Sequence, residues 1–331
     1  MRRIVICGGG AAGWLSAAAL AGVFKPETLD IRVIETPADA AGVGAGALPP
    51  EHAALHGLIG LSTHDLLSEA DATFKLGTAL RGWVQAGEAF IPFGPIGEGA
   101  GFHHFWRRAE SKHALSAFAL GAHAAPLQKF GLPPRGREGL LRYGLHIDIA
   151  RYAEALRARA LARGVKRIEA EIAGVALNDA GEVAQIALAG APAAEADLFL
   201  DCTGADARIL SALGARFEDW DAVAPCAYVG YGRNAPGAEI APFTTITARD
   251  DGWMQTIPLQ SGEAWAIFSE SPNIKGAQII LPFRSGVRDA IWRGNCAGVG
   301  GAAGVMEPLH GLDLQMAHRG VLRLLSLLPQ H

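Results

Sequence analysis

The chain has 331 residues, of which 50% are hydrophobic and 19% are charged, and its formal net charge is −4. This length and composition allow a sizeable core in one large domain or two fused ones, so global disorder is excluded. The negative charge balance and the lack of a basic run argue against nucleic acid and anionic membrane as partners. No uninterrupted apolar run approaches about 18 residues, so we expect no transmembrane helix.

The cysteines indicate a reduced environment. Cys7, Cys202, Cys226 and Cys296 stand apart in the sequence and form no C-x-x-C pair. Neither structural zinc nor a disulfide framework is therefore indicated. The chain also begins directly with a predicted strand, which leaves no room for a signal peptide. We expect a cytoplasmic protein without a bound metal.

The first 35 residues carry the strongest pattern in the chain. Residues 2–7 predict a short buried strand, Gly8-Gly9-Gly10-Ala11-Ala12-Gly13 follows at once, and residues 14–23 predict an Ala-rich helix. A second apolar strand covers residues 31–34 and ends on Glu35. This is the G-x-G-x-x-G fingerprint in the strand–turn–helix–strand context of a dinucleotide-binding domain.

Each glycine of the fingerprint has a physical task. Gly8 permits the tight turn, Gly10 lets a pyrophosphate approach the backbone, and Gly13 allows the helix to pack closely on the strand. The free N–H groups at the helix amino terminus then face the phosphates. Glu35, 22 residues after Gly13, can accept hydrogen bonds from a ribose. The alternative, a glycine-rich loop without a ligand, does not account for the flanking strands.

The next region contains loops and short elements. Residues 36–50 are rich in Gly, Ala and Pro, which predicts a loop that can lie against a ligand. Two short helices follow, and Ser62 can cap the second, with Asp65 in its first turn. Residues 72–83 alternate between apolar and polar side chains and predict a strand.

Residues 101–106 form a dense cluster of aromatic and imidazole side chains. If this segment is a strand, the adjacent His103 and His104 point to opposite faces, which disfavours a metal site. Packing and hydrogen bonding around a pocket, together with Phe105, is the favoured interpretation.

The second half of the chain continues the mixed pattern. The predicted elements are a helix over 147–163, strands over 165–172 and 197–204, a hairpin turn at 178–181, an antiparallel sheet within 224–269, a glycine-rich return at 295–304 and a last helix over 314–328. The strand over 197–204 brings the chain back to the nucleotide-binding domain. That domain is therefore discontinuous, with a substrate layer inserted in it.

These elements predict an α/β fold, in which a Rossmann-like nucleotide-binding domain carries an inserted antiparallel-sheet substrate layer. The nucleotide-binding domain comprises residues 1–85 and 146–212, and a pocket segment covers 86–145. The sheet layer covers 213–282, and residues 283–331 form a return and the carboxy-terminal helix.

Seven motifs occur in order along nearly the whole chain. They are Gly8-Gly9-Gly10-Ala11-Ala12-Gly13, Gly42-Val43-Gly44, Phe74-Lys75-Leu76-Gly77, Phe102-His103-His104-Phe105-Trp106, Asp201-Cys202-Thr203-Gly204, Gly252-Trp253-Met254-Gln255-Thr256-Ile257-Pro258-Leu259 and Ala302-Ala303-Gly304-Val305-Met306-Glu307-Pro308-Leu309. Together they resemble the motifs of the flavin-dependent tryptophan halogenases. Any single one is weak evidence, whereas seven in order identify the chain as a divergent, carboxy-terminally short member of that family.

The resemblance implies FAD binding in a glutathione-reductase-type fold, with reduced FAD supplied by a separate flavin reductase. In that family the reduced flavin reacts with O₂, a chloride or bromide ion is converted to hypohalous acid, and a lysine directs this oxidant at an aromatic carbon. By resemblance Lys75 is that lysine, and its work requires shelter from bulk water. Without the motif, a lysine at the start of a strand would be a solvated side chain.

The fingerprint and the resemblance together assign the candidate site. The cofactor-binding set is Gly8, Gly10, Ala11, Ala12, Gly13, Glu35, Gly44, Ala45, Asp201, Gly300, Gly311 and Leu312. The substrate-pocket set is His103, His104, Phe105, Trp253, Gln255 and Pro258. Lys75 and His310 form the catalytic pair.

Several positions depart from the family's motifs. Gln255 replaces the second Trp of W-x-W-x-I-P, which widens and wets the region beside the flavin. His310 replaces the glutamate that works opposite the lysine, and an imidazole can act as a base but cannot supply the same negative charge. Asp313 brings a carboxylate close to the backbone N–H groups that hold the halide, and like charges repel. Ala45 also replaces a glutamate.

The end of the chain differs as well. It lies 24 residues after Glu307, whereas the halogenases of this family continue with a long helical region that supplies much of the indole pocket. Tryptophan recognition is therefore not implied. We expect an exposed active site or a partner that covers it.

These departures leave three functional hypotheses. The first is halogenation of a small aromatic or indole-like substrate, directed by Lys75. The second is hydroxylation by reduced FAD and O₂ without any halide, which Gln255 and the missing glutamate favour. The third is a flavin-binding protein without turnover, whose face docks a partner. A homodimer is compatible with each of them.

Overall fold

The computed structural model describes residues 2–36, 43–84, 87–97, 99, 101–132, 134, 136 and 138–329, without the side chains of residues 84, 138 and 310. Five sheets and eight α-helices occur within these ranges, and they are numbered in chain order. None of these helices has both the length and the apolar character needed to cross a membrane.

A six-stranded sheet forms the centre of the nucleotide-binding part. Its strands are β1 (Arg3–Cys7), β2 (Asp30–Glu35), β8 (Lys166–Glu169), β12 (Leu198–Asp201), β20 (Trp292–Arg293) and β21 (Cys296–Gly298). They lie in the order β20-β21-β12-β1-β2-β8, and all neighbours except β20 and β21 are parallel. Burial on both faces explains the continuous apolar sequences of β1 and β12. The predicted parallel core, with the return of the chain at β12, is confirmed.

The described residues form eight α-helices, of which the first and the seventh pack on this sheet. They are α1 (Ala11–Val23), α2 (His52–Ile59), α3 (Thr63–Glu69), α4 (Phe102–Arg108), α5 (Leu120–Ala124), α6 (Ile149–Ala162), α7 (Arg208–Ala212) and α8 (Leu312–Leu327). Short 3-10 turns occur at Leu115–Phe118, Glu138–Leu140, Gly204–Asp206, Gly300–Ala302 and Leu309–Gly311. α1 packs against α2, α6 and α8. The predicted cap of α3 is present, since Ser62 Oγ accepts the Asp65 N–H at 3.1 Å.

A small sheet places Lys75 between the helices and the substrate layer. It consists of β3 (Ala45–Leu48), β4 (Thr73–Lys75) and β7 (Gly144–Asp148), and β7 is antiparallel to both of its neighbours. The central strand leads directly into α6, where Asp148 Oδ1 accepts the Arg151 N–H at 2.9 Å. The position of Lys75 is therefore tied to the helical layer.

A seven-stranded sheet forms the substrate layer. Its strands are β5 (Gly77–Val84), β6 (Gly87–Pro92), β14 (Tyr228–Asn234), β15 (Thr244–Arg249), β16 (Gly252–Leu259), β17 (Gly262–Ser269) and β18 (Ile279–Pro282). Their order is β18-β14-β17-β16-β15-β5-β6, with only β15 and β5 parallel. The antiparallel layer predicted within 224–269 is confirmed, and β5 and β6 extend it.

Two small sheets complete the described part of the fold. One contains β9 (Ile172–Leu177), β10 (Val183–Leu188) and β11 (Ala191–Ala194), and the other contains β13 (Phe217–Asp219), β19 (Gly286–Arg288) and β22 (Gly304–Val305). The first is the predicted hairpin with a third strand.

The strand interpretation of residues 101–106 is wrong, because this segment forms α4. The His104 N–H donates to the Gly101 carbonyl at 3.0 Å, and the Ala109 N–H donates to the Phe105 carbonyl at 2.9 Å. His103 and His104 are consecutive helical residues with ring centroids 3.9 Å apart, and both are exposed. A short aromatic run has no periodicity that distinguishes a helix from a strand, so the sequence pattern does not predict this helix.

The cysteines are free and buried. Cys7 and Cys296 belong to the six-stranded sheet, and Cys202 follows the last residue of β12. Burial is the main cause that raises the pKa of all three thiols far above the usual value. Burial also raises the pKa of Cys226 to about 12. The four thiols are therefore protonated at neutral pH.

Three histidines and one tyrosine are buried together where α2, α6 and α8 meet. The Tyr152 hydroxyl oxygen lies 2.8 Å from His56 Nε2 and 3.0 Å from His318 Nε2. The His52 ring stacks on His318 with centroids 3.5 Å apart. Burial lowers the pKa of His52 to about 3 and that of His56 to about 4, and it holds the pKa of His318 well below its usual range. All three rings are therefore neutral at pH 7.

The neutral histidines predict that the protein loses stability in acid. Below about pH 6.5 the histidines of the unfolded chain bind protons, whereas His52 and His56 stay neutral in the folded protein. Their full stabilising contribution is present above the unfolded pKa. The free energy of unfolding should fall by about 1.4 kcal/mol per histidine for each pH unit below about pH 6. Urea unfolding measured from about pH 8 to about pH 4.5 tests this expectation.

Two variants separate this effect from the titration of carboxylates. His52→Phe keeps an aromatic ring against His318. The slope of its unfolding free energy against pH should be smaller than that of the wild type by the equivalent of about one proton. His103→Phe, on the exposed face of α4, is the control and should keep the slope of the wild type. Equal slopes for His52→Phe and the wild type would contradict the interpretation.

Candidate functional site

Close backbone contacts shape the turn after β1. Gly8 has a φ of +112°, and a Cβ on it would lie 2.3 Å from the Cys202 carbonyl oxygen. A Cβ on Gly13 would lie 1.9 Å from the Gly8 carbonyl oxygen. Both positions therefore require glycine, and their small size lets α1 begin directly beside β1 and β12.

The amino terminus of α1 is open to a ligand. Gly10 precedes the helix in an extended conformation, no side chain caps the first turn, and no acidic residue lies in it. A Cβ on Gly10 would meet nothing within 4 Å. The first N–H groups, including those of Ala11 and Ala12, have no partner within the helix. These features fit the pyrophosphate of a dinucleotide cofactor.

A cavity of about 180 Å³ opens beside this turn. It is lined by Gly8, Ile34, Thr36, Ile172, Thr203, Asp206 and Arg208. Arg208 adds a guanidinium group to the cavity, and one of its nitrogens donates to the Ile172 carbonyl at 2.7 Å. Sequence reasoning missed Arg208, for which the available signal was a basic residue shortly after β12.

Asp201 has a structural task at the end of β12. It is fully buried, and Oδ1 accepts the N–H and the hydroxyl of Thr203 at 3.1 and 2.7 Å. Oδ2 accepts the N–H groups of Ile209 and Leu210, both at 2.9 Å. The carboxylate therefore fixes the turn into α7. Its direct contact with a cofactor stays a prediction.

Glu35 lies beneath the glycine turn with 1% of its surface exposed. Its carboxylate forms ion pairs with Arg167 and, at 3.5 Å, with Arg157, and it also accepts the Trp14 Nε1–H at 3.4 Å. A Cβ on Gly9 would lie 2.3 Å from Glu35 Cγ. The side chain is thus held in place at the end of β2, where a ribose hydroxyl is expected.

Lys75 is fully buried at the end of β4. Its Nζ lies 5.5 Å from the centroid of the Phe93 ring and has no hydrogen-bond partner among the described residues. Burial lowers the pKa of Lys75 to about 7, and the negative charge of Asp313 opposes that shift. Lys75 is therefore not a solvated side chain, and its buried position is one where a charge is costly.

A buried polar chain runs beside Lys75. The Thr73 hydroxyl donates to the Pro258 carbonyl at 2.6 Å and lies 3.0 Å from His146 Nδ1, so it accepts a hydrogen from that nitrogen. His146 Nε2 then accepts the Thr244 hydroxyl at 3.0 Å. Burial, followed by the charge of Lys75, holds the pKa of His146 well below its usual range. No motif had singled out His146.

Asp313, in the first turn of α8, is electrostatically coupled to Lys75. Desolvation raises the pKa of its carboxyl, whereas the Leu314 and Asp313 N–H groups and the charge of Lys75 act in the opposite direction. No ion pair within 4.0 Å joins the two side chains. Asp313 is nevertheless solvent-accessible. Its interaction with Lys75 is therefore one of charges at a distance, and not a direct ion pair.

Trp253 is anchored within the substrate layer. Its Nε1–H donates to Glu307 Oε2 at 2.6 Å, and its ring stacks on Phe268 with centroids 4.3 Å apart. Gln255 shares the buried face of β16 with Trp253, whereas the pleat turns the Pro258 ring to the other face. The strand thus brings Trp253 and Gln255 together and separates Pro258 from them.

Three predicted residues join α8 to the nucleotide turn and to β3. A Cβ on Gly300 would lie 2.9 Å from the Ala12 Cβ, and a Cβ on Gly311 would lie 2.5 Å from the Ala47 carbonyl oxygen. Leu312 begins α8 immediately afterwards. The segment before α8 and the start of this helix therefore pack closely against the nucleotide turn and β3.

The remaining cofactor candidates lie beside the substrate layer. Gly44 has a φ of +88°, and its Cβ would lie 3.0 Å from the Tyr231 ring. Ala45 follows as the first residue of β3. Burial, and then the charge of Asp313, raises the pKa of Tyr231 to about 12. Tyr231 is another residue that sequence reasoning missed.

Some predicted residues are not part of this buried region. His103, His104 and Phe105 are exposed on α4, and Phe105 exposes 72% of its surface. Their role in a substrate pocket stays a prediction. The His310 side chain and Gly42 lie outside the described part of the chain, so the pairing of His310 with Lys75 also stays a prediction.

The glycine turn yields a matched pair of variants. Gly10→Ala places its Cβ in open space, so the protein should fold with unchanged stability but bind FAD about tenfold or more weakly, because the methyl group stands where the pyrophosphate approaches. Gly13→Ala forces a Cβ into the Gly8 carbonyl oxygen and should lower the free energy of unfolding by about 2 kcal/mol or more.

Thermal unfolding of the apoprotein and quenching of FAD fluorescence measure the two effects separately. Gly174→Ala, where a Cβ also meets nothing within 4 Å, controls for the added methyl group. Full FAD affinity in Gly10→Ala would contradict the assignment of this turn.

Comparison with known proteins agrees with this arrangement. The family model described as tryptophan halogenase matches residues 3–331. The 7-chloro-L-tryptophan 6-halogenase KtzR of Kutzneria sp. (strain 744) is 26% identical over 393 residues, which cover 98% of this chain and 72% of KtzR.

Two solved structures share the fold over 99% of this chain. BrvH, a flavin-dependent halogenase from Brevundimonas sp. BAL3, is 35% identical with a TM-score of 0.89 over 72% of its chain. Xcc4156, a flavin-dependent halogenase from Xanthomonas campestris, is 31% identical with a TM-score of 0.91 over 71% of its chain. The predicted FAD-binding, Rossmann-like fold is thereby confirmed. The chain belongs to the tryptophan halogenase family of flavin-dependent enzymes.

Proposed function

We propose that this chain halogenates a small indole-like aromatic substrate. It uses O₂, a chloride or bromide ion, and FAD that a separate flavin reductase supplies in reduced form. The observation that carries the proposal is the state of Lys75, which is fully buried, lacks a hydrogen-bond partner among the described residues and has a pKa of about 7. The relatives named above are halogenases, and KtzR acts on a tryptophan derivative.

The glycine turn and α1 would hold the cofactor. Gly8, Gly10 and Gly13 leave the backbone accessible to the pyrophosphate, and the helix amino terminus offers N–H groups to it. With O₂, reduced FAD supplies the oxidising power that converts a halide into an electrophilic halogen. The protein contributes binding, orientation and the exclusion of water.

Lys75 would direct the electrophile. Its ammonium form can donate a hydrogen bond to the oxygen of hypohalous acid and stabilise the negative charge that develops there as the oxygen–halogen bond breaks. Its neutral form has a lone pair that can accept the halogen. A pKa of about 7 keeps both forms populated near neutral pH.

The halogenation step also needs a base. The aromatic carbon forms a bond to the halogen, the oxygen–halogen bond breaks, and a base takes the proton displaced from the carbon and passes it to the oxygen, which leaves as water. Asp313 can be that base, because the residue is solvent-accessible and is electrostatically coupled to Lys75. His310 is an alternative base, because it occupies the position of the glutamate in the family's motif.

Asp313 also favours a second candidate function, hydroxylation without halide. Its negative charge repels an anion at the first turn of α8. Gln255 also favours hydroxylation, because this polar residue, with 6% of its surface exposed, stands where the family has a large apolar ring. Such an enzyme would transfer oxygen rather than halogen to the same class of substrate.

Rapid mixing separates these functions. The FAD-bound protein is photoreduced and mixed with O₂ and indole, with and without bromide, and the products are identified by mass spectrometry. Bromoindole, with flavin reoxidation accelerated by bromide, supports halogenation. Oxygenated indole with no effect of bromide supports hydroxylation. If neither product forms and bromide has no effect, both functions are contradicted and only flavin binding is left.

Replacing Lys75 tests its assigned role. Lys75→Met retains the length and the apolar stem but cannot donate a hydrogen bond, so halogenated product should fall by about 100-fold or more. FAD affinity should stay within about twofold, because Lys75 is not in the glycine turn. Lys166→Met removes a more exposed lysine that pairs with Asp30 and serves as the control. A Lys75→Met variant that still forms the product at the wild-type rate would remove Lys75 from the mechanism.

Replacing Asp313 tests its electrostatic coupling to Lys75. Asp313→Asn removes the negative charge that raises the pKa of Lys75, so that pKa should fall below the wild-type value. The titration can be followed by NMR with ¹³C at the lysine Cε, because the chain has six lysines and Lys75→Met identifies the signal. An unchanged titration would show that the two side chains are not coupled.

A further inference from the structure

The buried histidine–tyrosine cluster contributes no residue to the proposed halogenation step. The cluster consists of His52 and His56 on α2, Tyr152 on α6 and His318 on α8, and each exposes 5% of its surface or less. Both ring nitrogens of His52 and Nδ1 of His318 lack hydrogen-bond partners among the described residues. The hydrogen bonds of the cluster therefore meet at the Tyr152 hydroxyl.

The two bonds of this hydroxyl have opposite directions. A phenol has one hydrogen to donate, so the hydroxyl donates to one imidazole and accepts an N–H from the other. The ring that accepts must then be neutral with its hydrogen on Nδ1, and the ring that donates carries a hydrogen on Nε2. Burial, which lowers the pKa of both His56 and His318, keeps the two rings uncharged at neutral pH. Tyr152 thus connects α2 to α8 through a pair of directional bonds.

The first turn of α8 depends on where this helix is held. His318 follows Asp313 by five residues, which is roughly 7.5 Å along a helix. Toward its amino terminus the helix is packed on β3, since a Cβ on Gly46 would lie 2.6 Å from Leu314 Cδ1. β3 pairs with β7, and β7 pairs with β4, which carries Lys75. A shift of α8 along its axis therefore changes the spacing of Asp313 from Lys75.

We propose that Tyr152 is a positioning residue, whose hydroxyl holds α8 through His318 and thereby sets the distance of Asp313 from Lys75. The inference rests on the proposed function only for the task that it gives Tyr152, which is to keep the Asp313 carboxylate at a fixed distance from Lys75. The geometry itself involves no cofactor or halide. Tyr152 touches neither of the two charged groups and acts through the helix.

Tyr152→Phe removes the hydroxyl and keeps the ring. Asp313 should then move or become mobile relative to Lys75, and the loss of its fixed charge should lower the pKa of Lys75 by about half a unit. The titration of ¹³Cε-labelled lysine in the apoprotein measures this shift. Tyr143→Phe, the same change at a tyrosine outside the cluster, is the control. An unchanged Lys75 titration in Tyr152→Phe would overturn the proposal, even if the melting temperature fell.

A double-mutant cycle shows whether the effect passes through Asp313. In the Asp313→Asn background, Tyr152→Phe should leave the Lys75 titration unchanged, because the charge that it displaces is absent. An equal shift in both backgrounds would overturn the assigned route.

A second pair of variants provides the rescue. The amide of Gln can replace Nε2 of an imidazole, so His318→Gln should retain the Lys75 pKa, whereas His318→Leu should lower it as Tyr152→Phe does. Similar titrations in the two His318 variants would contradict the proposal. Because the measurements need neither FAD nor halide, their outcome is independent of whether the enzyme halogenates, hydroxylates or does neither.

Discussion

Burying an ammonium group without a hydrogen-bond partner is costly, and the centre of this molecule is built around that constraint. Lys75 responds by losing part of its charge near neutral pH, as its lowered pKa records. Its neighbour His146 is neutral, and both ring nitrogens are occupied by threonine hydroxyls. The negative charge of Asp313 acts from a distance and raises the pKa of Lys75, so part of the lysine stays protonated. Such a balance requires that each group be held in a fixed position.

Three layers of the fold contribute to this fixed arrangement. The small sheet supplies Lys75 and His146, α8 supplies Asp313, and the seven-stranded sheet supplies Thr244 on β15. The His146 hydrogen bonds join the first layer to the third, because Thr244 belongs to β15. The site therefore exists only where the layers meet, and no single element could form it.

What the sequence predicts well is local. The fingerprint of residues 8–13 defines its own strand, turn and helix, because contacts within the turn or with the adjacent strands require Gly8, Gly9 and Gly13, whereas Gly10 leaves the backbone open. The alternation within 224–269 likewise predicts strands that pair with their neighbours along the chain. By contrast, the sequence does not distinguish α4 from a strand, because its seven residues show no clear period.

What the sequence does not predict is the meeting of distant residues. β15 pairs in parallel with β5, although more than 160 residues separate Thr78 from Thr244. Lys75 and Asp313 are coupled across a still longer separation, and the motifs indicate for Asp313 only the repulsion of a halide. The cluster around Tyr152 draws on three helices with no shared motif. Contacts of this kind leave no periodic signal in a single sequence, and the family resemblance supplied Lys75 but neither His146 nor Tyr231.

The buried cysteines have a chemical consequence for a protein that handles an electrophilic halogen. A thiolate is the form of cysteine that attacks such a reagent, and a thiol of high pKa is rarely in that form. Cys7, Cys202 and Cys296 lie in or next to the strands that carry the nucleotide turn, and burial keeps all three protonated. Oxidant that escapes its substrate therefore finds unreactive sulfur beneath the cofactor site. The sheet resists stepwise oxidation to sulfenic and sulfinic acids, so the catalyst is protected from its own reagent at the strands that it needs most.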